Sequence, residues 1–214
     1  MKTLSTLEIE PGTVNQWIEE IRLYEHPKHS AIIGESVFGS ISHNLIKENP
    51  NADSMVINAI SDKYFQGLLL TRKYRLKEAY QLFEQADTEL NLKQLLPQSI
   101  NFINSFALPA KAYLCYKINE FQFAKSYLIE TIKVDEGLEN DGFSILHYHR
   151  IQQLHNLSRM SFKKSENQEA LEIAKEIIDY LCLGYSPKLI GQWNSEVLHK
   201  HPISLRSAML SNCN

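Results

Sequence analysis

The residues best suited to chemistry are the histidines, acids, cysteines and clustered bases, and their spacing argues against most sites they could build. His26 and His29 flank Pro27, while His147, His149 and His155 share one helical stretch. Chelation from a helix needs ligands one turn apart, as in His-Glu-x-x-His or Glu-x-x-His, and neither motif occurs. His147 and His149 point about 200° apart on a helix, and His147 and His155 are two turns apart. These imidazoles read as solvated or core residues, so no metal ligand set is expected. No Gly-x-Ser-x-Gly elbow, Walker A loop or Gly-x-Gly-x-x-Gly turn is present, and the eight glycines are scattered rather than clustered around a phosphate. The acid pairs Glu8/Glu10 and Glu19/Glu20 have the setting of solvated faces. Cys115, Cys182 and Cys213 are far apart and form no Cys-x-x-Cys pair, so neither a disulfide framework nor a zinc knuckle is suggested. Cys115 and Cys182 fall in apolar patterns and are expected in the core, with Cys213 an exposed thiol. No catalytic set and no cofactor follow from these residues.

The elements that must position any site are helices. A net charge of −3 gives no global attraction to nucleic acid or anionic lipid. The basic runs Arg72-Lys73-Tyr74-Arg75 and Lys163-Lys164 lie at turns between helices, outside any recognition-helix pattern. The first twelve residues lack an apolar secretory core, and no apolar run is long enough to span a bilayer. A soluble cytoplasmic protein is the expectation. At 214 residues, 43% of them apolar, the chain can bury one substantial core.

Helices are expected over about residues 14–25 and 31–48, then in pairs over 53–73 and 76–90, 97–118 and 121–136, and 143–164 and 168–183. Thr13 and Asp53 are candidate N-caps, and Pro97 fits a first helical turn. Pro109 demands a kink or break inside its helix. Gly137 and Gly184 fit left-handed C-terminal caps. Ser186-Pro187 is expected to open a further helix to about His199, with a short segment beyond Pro202. Trp193, Val197, Leu198, Leu205 and Leu210 are expected to cover the last hairpin.

One spacing recurs through these pairs. Gly34–Phe38–Ile41, Ala79–Phe83–Ala86, Ala124–Leu128–Thr131 and Ala170–Ala174–Ile177 begin 45, 45 and 46 residues apart. Positions i, i+4 and i+7 share a helix face, and a small first residue admits a close neighbour. A fixed period of this kind indicates stacked helical hairpins. The pattern resembles the tetratricopeptide repeat: Gly67, Ala79, Phe83 and Ala86 stand at that family's spacings, as do Ala112, Phe121, Ala124 and Leu128, and Ser158, Ala170 and Ala174. The family's repeat is shorter, and its Trp-x-x-Leu-Gly signature and closing Pro are missing here. HEAT-like arrays share the longer period, but their interior Pro and charged ladder residues do not recur here. The resemblance implies an all-α superhelix of about four antiparallel hairpins in a single 1–214 domain. Residues 14–49 would form a degenerate first hairpin, 53–90, 97–137 and 143–184 the repeats, and 187–210 a C-terminal cap.

In such a stack the first helix of each hairpin lines the concave face. Five places beyond the small residue of that helix stand Arg72, Lys117 and Lys163, with Arg159 one turn before the last. Tyr64, Tyr113, Tyr116, His155 and Phe162 would wall the groove. This ladder suits an acidic peptide or a C-terminal carboxylate. A basic residue in a last helical turn also complements the helix dipole, an alternative that needs no ligand. The resemblance thus implies a non-catalytic scaffold for a protein or peptide, with no nucleic acid and no membrane. The alternatives are a peptide-sensing regulatory receptor and an all-α enzyme using the groove as its pocket.

Overall fold

A computed structural model describes residues 54–188 and 190–200, the side chains of His199 and Lys200 excepted. All belong to the compact unit Asn51–Asn214. The expected hairpin over 14–49, the caps Thr13 and Asp53, Cys213 and the segment past Pro202 lie outside the described residues.

The described residues form seven helices and no strand: α1 (Ser54–Arg72), α2 (Leu76–Leu92), α3 (Pro97–Lys117), α4 (Phe121–Asn140), α5 (Leu146–Lys163), α6 (Asn167–Leu183) and the short α7 (Glu196–Lys200). The fold class is all-α. The first six make three hairpins, each a leading helix (α1, α3, α5) and a returning helix (α2, α4, α6) packed together. The recurring small residues sit in these seams. Ala79, Phe83 and Ala86 are buried, as are Ala124, Leu128 and Thr131. In α6, Ala170 and Ile177 are buried while Ala174 is half-exposed, and Ile173 fills the seam beside them. On the leading side, Gly67, Ala112 and Ser158 are buried opposite. A Cβ on Gly67 would lie 2.3 Å from Phe83, so only glycine lets that ring nest. The Ser158 hydroxyl donates to the Ala170 carbonyl at 2.8 Å, which satisfies a polar group inside the seam.

Each hairpin closes with the same turn. Tyr74, Asn119 and Ser165 adopt φ of 58°, 64° and 64°. The next residues, Arg75, Glu120 and Glu166, have φ/ψ of −86°/62°, −83°/62° and −84°/58°. The left-handed residue donates its N–H to the carbonyl three residues back (Thr71, Tyr116, Phe162), and its successor donates to the one five back (Leu70, Cys115, Ser161). This is the paired Schellman arrangement, built three times without the usual glycine.

The joints between hairpins are not alike. The first is made chiefly by α1 lying on α3, the second by α4 lying against α5. The regular period of the sequence therefore does not produce a uniform stacking of one hairpin on the next.

Several expectations need correction. Of the kink or break expected at Pro109, the break does not occur: α3 is one helix from Pro97 to Lys117, because packing on α1, α2 and α4 outweighs one missing hydrogen bond. α4 continues past Gly137 to Asn140, held by fully buried Leu138 and by pairing of Glu139. The turn comes later, at Gly142 with φ of 107°. α5 starts at Leu146 rather than Phe143, whose ring packs edge-on against Phe102 with centroids 4.7 Å apart. Residues 184–194 are not helical where described; only Glu196–Lys200 is. Trp193, Val197 and Leu198 are buried, and Trp193 and Leu198 join the core that includes α5 and α6 side chains. Cys182 is exposed, whereas Cys115 is half-buried and burial pushes its thiol pKa up.

Candidate functional site

Where the α1–α2 turn meets the end of α3, a basic and aromatic cluster assembles. Lys117 donates to the Tyr74 hydroxyl at 3.0 Å. Its ammonium lies 4.4 Å from the Tyr74 ring centroid and 5.2 Å from that of Tyr113. Tyr113 stacks on Tyr116, centroids 6.3 Å apart and planes 16° apart, and Tyr116 meets Phe121 edge-on. Packing of α1 on α3 brings this about: it sets the first turn beside the last turn of α3. The Lys117 hydrogen bond, then its charge, hold the Tyr74 phenol below its ordinary pKa, and Lys163 adds in the same direction. The same phenols hold the Lys117 ammonium above its ordinary range. Lys117 thus meets one exposed aromatic residue both through its hydroxyl and over its ring.

The remaining expected site residues divide by burial. Arg72, Arg159, Lys163 and Phe162 are exposed on the leading helices. His155 is half-buried, and burial first, then the Arg159 charge, lowers its pKa. Tyr64 is a core residue at 1% exposure and walls no groove. Its hydroxyl donates to Asp87, which also pairs with Lys111 at 2.6 Å. Burial, then the Asp87 hydrogen bond, push the Tyr64 phenol upward. The cause is the first joint: α1 turns the Tyr64 face into α2 and α3 instead of outward.

A second polar constellation, absent from the sequence reading, lies inside the second joint. Asp135 of α4 accepts from the Ser105 hydroxyl at 2.5 Å and pairs with His149 Nδ1 at 2.7 Å. Acylating relays place histidine between serine and acid, using one ring nitrogen for each. Here the carboxylate is in the middle, Ser105 approaches the same Nδ1 at 3.5 Å, and all three residues are buried. The set clamps α3, α4 and α5 together and offers no accessible nucleophile. One turn along α4, Glu139 pairs with His147 Nδ1 at 2.8 Å and with Arg150 at 2.7 Å, and His147 Nε2 is 2.6 Å from the Tyr180 hydroxyl. Burial raises the Glu139 pKa, but the His147 and Arg150 contacts outweigh it and leave a net lowering. His147 and His149 reach two different carboxylates, Glu139 and Asp135, which stand one turn apart on α4. Asp135 was legible in principle, since it stands seven residues beyond Leu128 on the buried stripe of α4.

Among the described residues, no helix is long and apolar enough to cross a membrane, and no group of three or more His, Cys, Asp or Glu could hold a metal ion. No protein-family model, curated protein or solved structure matches this chain, so the basic–aromatic cluster itself is the basis for a functional reading.

Proposed function

We propose that this protein is a non-catalytic binding module of tetratricopeptide-repeat-like design, taking an acidic protein or peptide partner across the ends of its leading helices. Arg72, Lys117 and Lys163 supply the charge, Tyr74, Tyr113 and Tyr116 the flat contact area, and the setting is the cytoplasm. The observation that carries this reading is an asymmetry. The three leading helices α1, α3 and α5 each end on a basic residue, whereas the three returning helices α2, α4 and α6 have none in their last turns. Complementing the helix dipole would favour bases on both sets alike. A ligand-facing ladder needs them on one set only. Aromatic rings that hold a lysine at a surface are a common ingredient of binding hot spots.

The test is a titration with a fluorescent ten-residue peptide of alternating Asp and Glu ending in a free carboxylate. Binding that weakens steeply with salt, and falls at least about tenfold in the Arg72→Glu/Lys117→Glu/Lys163→Glu protein, is the expected outcome. Equal binding by the triple variant and the parent would remove the ladder from the account.

A further inference from the structure

The non-helical stretch after α6 is held as a bound peptide is held. The Gln192 N–H donates to Glu136 Oε1 at 2.6 Å, and Arg150 donates to the Gln192 carbonyl at 2.7 Å. One helix thus grips the donor of a single residue and its neighbour grips the acceptor. This clasp reads main chain, not the Gln192 side chain. At the preceding position, a Cβ on Gly191 would come within 2.7 Å of both Arg150 Nη2 and a Glu136 carboxylate oxygen, and φ there is +87°. Glycine is required twice over. At the following position, the Trp193 ring lies on the Arg150 guanidinium at 4.2 Å and meets His147 and Tyr180 edge-on, each with centroids 5.4 Å away. Arg150 is only 1% exposed, although its Nε has no hydrogen-bond partner. A buried guanidinium is costly unless paired, and two of the contacts that offset this cost come from the segment itself.

A helix used simply as a cap buries its own apolar stripe. Here a non-helical segment is held instead by a backbone clasp, a position that admits only glycine and an indole pocket; in peptide recognition main-chain hydrogen bonds supply affinity and side-chain pockets supply specificity. We propose that Glu136, Glu139, His147, Arg150 and Tyr180 form a recognition site for a non-helical peptide of pattern Gly-x-Trp, occupied in this chain by its own Gly191-Gln192-Trp193. This site is separate from the basic cluster at the helix ends and stands whether or not that cluster binds acids. The tethered segment competes at the high local concentration of a short linker, so a peptide added in solution meets a largely filled site.

The experiment uses the full chain and a fluorescein-labelled synthetic peptide spanning Ile190–Leu198. Trp193→Ala empties the indole pocket, and Gly191→Ala drives the segment off the clasp by collision. Both variants are expected to bind the peptide at least about tenfold more tightly than the parent, because the internal competitor is weakened. The Gly191→Ala peptide is expected to bind either variant at least about tenfold more weakly than the unaltered peptide. Helical circular dichroism confirms that each variant is folded. Folded variants that bind no better than the parent, or that bind the Gly191→Ala peptide equally well, would overturn the proposal. So would unfolding of both variants, since the segment would then be an integral part of the core and not an exchangeable ligand.

Discussion

Within hairpins the chain makes one turn three times, with Tyr74, Asn119 and Ser165 at the same left-handed position; between hairpins it makes two different joints. The first joint is largely apolar, built from Ile60, Tyr64, Ile103 and Ala107, with the Tyr64–Asp87–Lys111 contact at its edge. The second buries Asp135, two imidazoles and Arg150, with half-buried Glu139 beside them, alongside its apolar residues. The turn is a local solution. Two backbone hydrogen bonds and a small residue five places on suffice, so side chains as unlike as Tyr, Asn and Ser can occupy it. A joint depends on which side chains meet across it, and these differ from one hairpin to the next even when the period is constant.

The comparison can be broken most severely at the second joint. Asp135→Ala leaves His149 and Ser105 buried without their acceptor, and a loss of about 3–5 kcal/mol is expected in urea unfolding. An equally damaging Asp87→Ala at the first joint, where the carboxylate is partly exposed, would erase the distinction. Ala79→Leu, Ala124→Leu and Ala170→Leu overpack three equivalent seams, and each is expected to destabilise by about 1–3 kcal/mol. Parent-like melting in any one of them would show that its seam is not equivalent. In the turns, Ser165→Gly removes a left-handed β-carbon and is expected to stabilise by about 0.5 kcal/mol, the net of strain relief and lost chain restriction. Asn119→Gly should gain less, because Asn tolerates this conformation.

The smallest effect concerns pH. His155 has its folded pKa lowered by burial and by Arg159, so the unfolded chain binds the proton more readily. Its contribution is fully present above the ordinary imidazole value of about 6.5 and is lost as pH falls from there toward the lowered folded value. His155→Gln should flatten the fall in stability between pH 7.5 and 5.5, by no more than the roughly 1.4 kcal/mol per pH unit that one proton allows. Glu139 works in the acid range. Its lowered pKa contributes stability above about pH 4.3 that disappears as pH drops through the folded value. A profile in Glu139→Gln that still shows the parent's steep acid limb would assign that limb to another group.

Much of the helical layout was readable because period and punctuation are local. Ala79, Ala124 and Ala170 mark their seams, Pro97 starts α3, and Gly184 ends α6 with φ of 73°. The errors fall where distant side chains intervene. Gly137 looked like a terminus, but Leu138 and Glu139 gain burial and ion pairs that carry α4 onward. Cys182 sits in an apolar run yet faces outward, since α6 already buries Ile177, Tyr180 and Leu181. Of the expected site residues, Lys117, Tyr113 and Tyr116 lie together at the end of α3, while Tyr64 turned into the core. Tyr74 was visible only as part of a basic run; its contact with Lys117 spans 43 residues and depends on how α1 meets α3.

The sequence alone determined that this chain is helical, that its helices come in pairs, and where small residues let each pair close. Those features rest on hydrogen bonds and contacts among residues near one another in the chain, so composition and spacing specify them. Which faces the pairs present to one another was decided only in three dimensions. Burying Asp135, His147, His149 and Arg150 is tolerable solely where their partners arrive from other helices and from the Gln192 main chain. No spacing rule along one helix can announce a partner that the fold itself delivers.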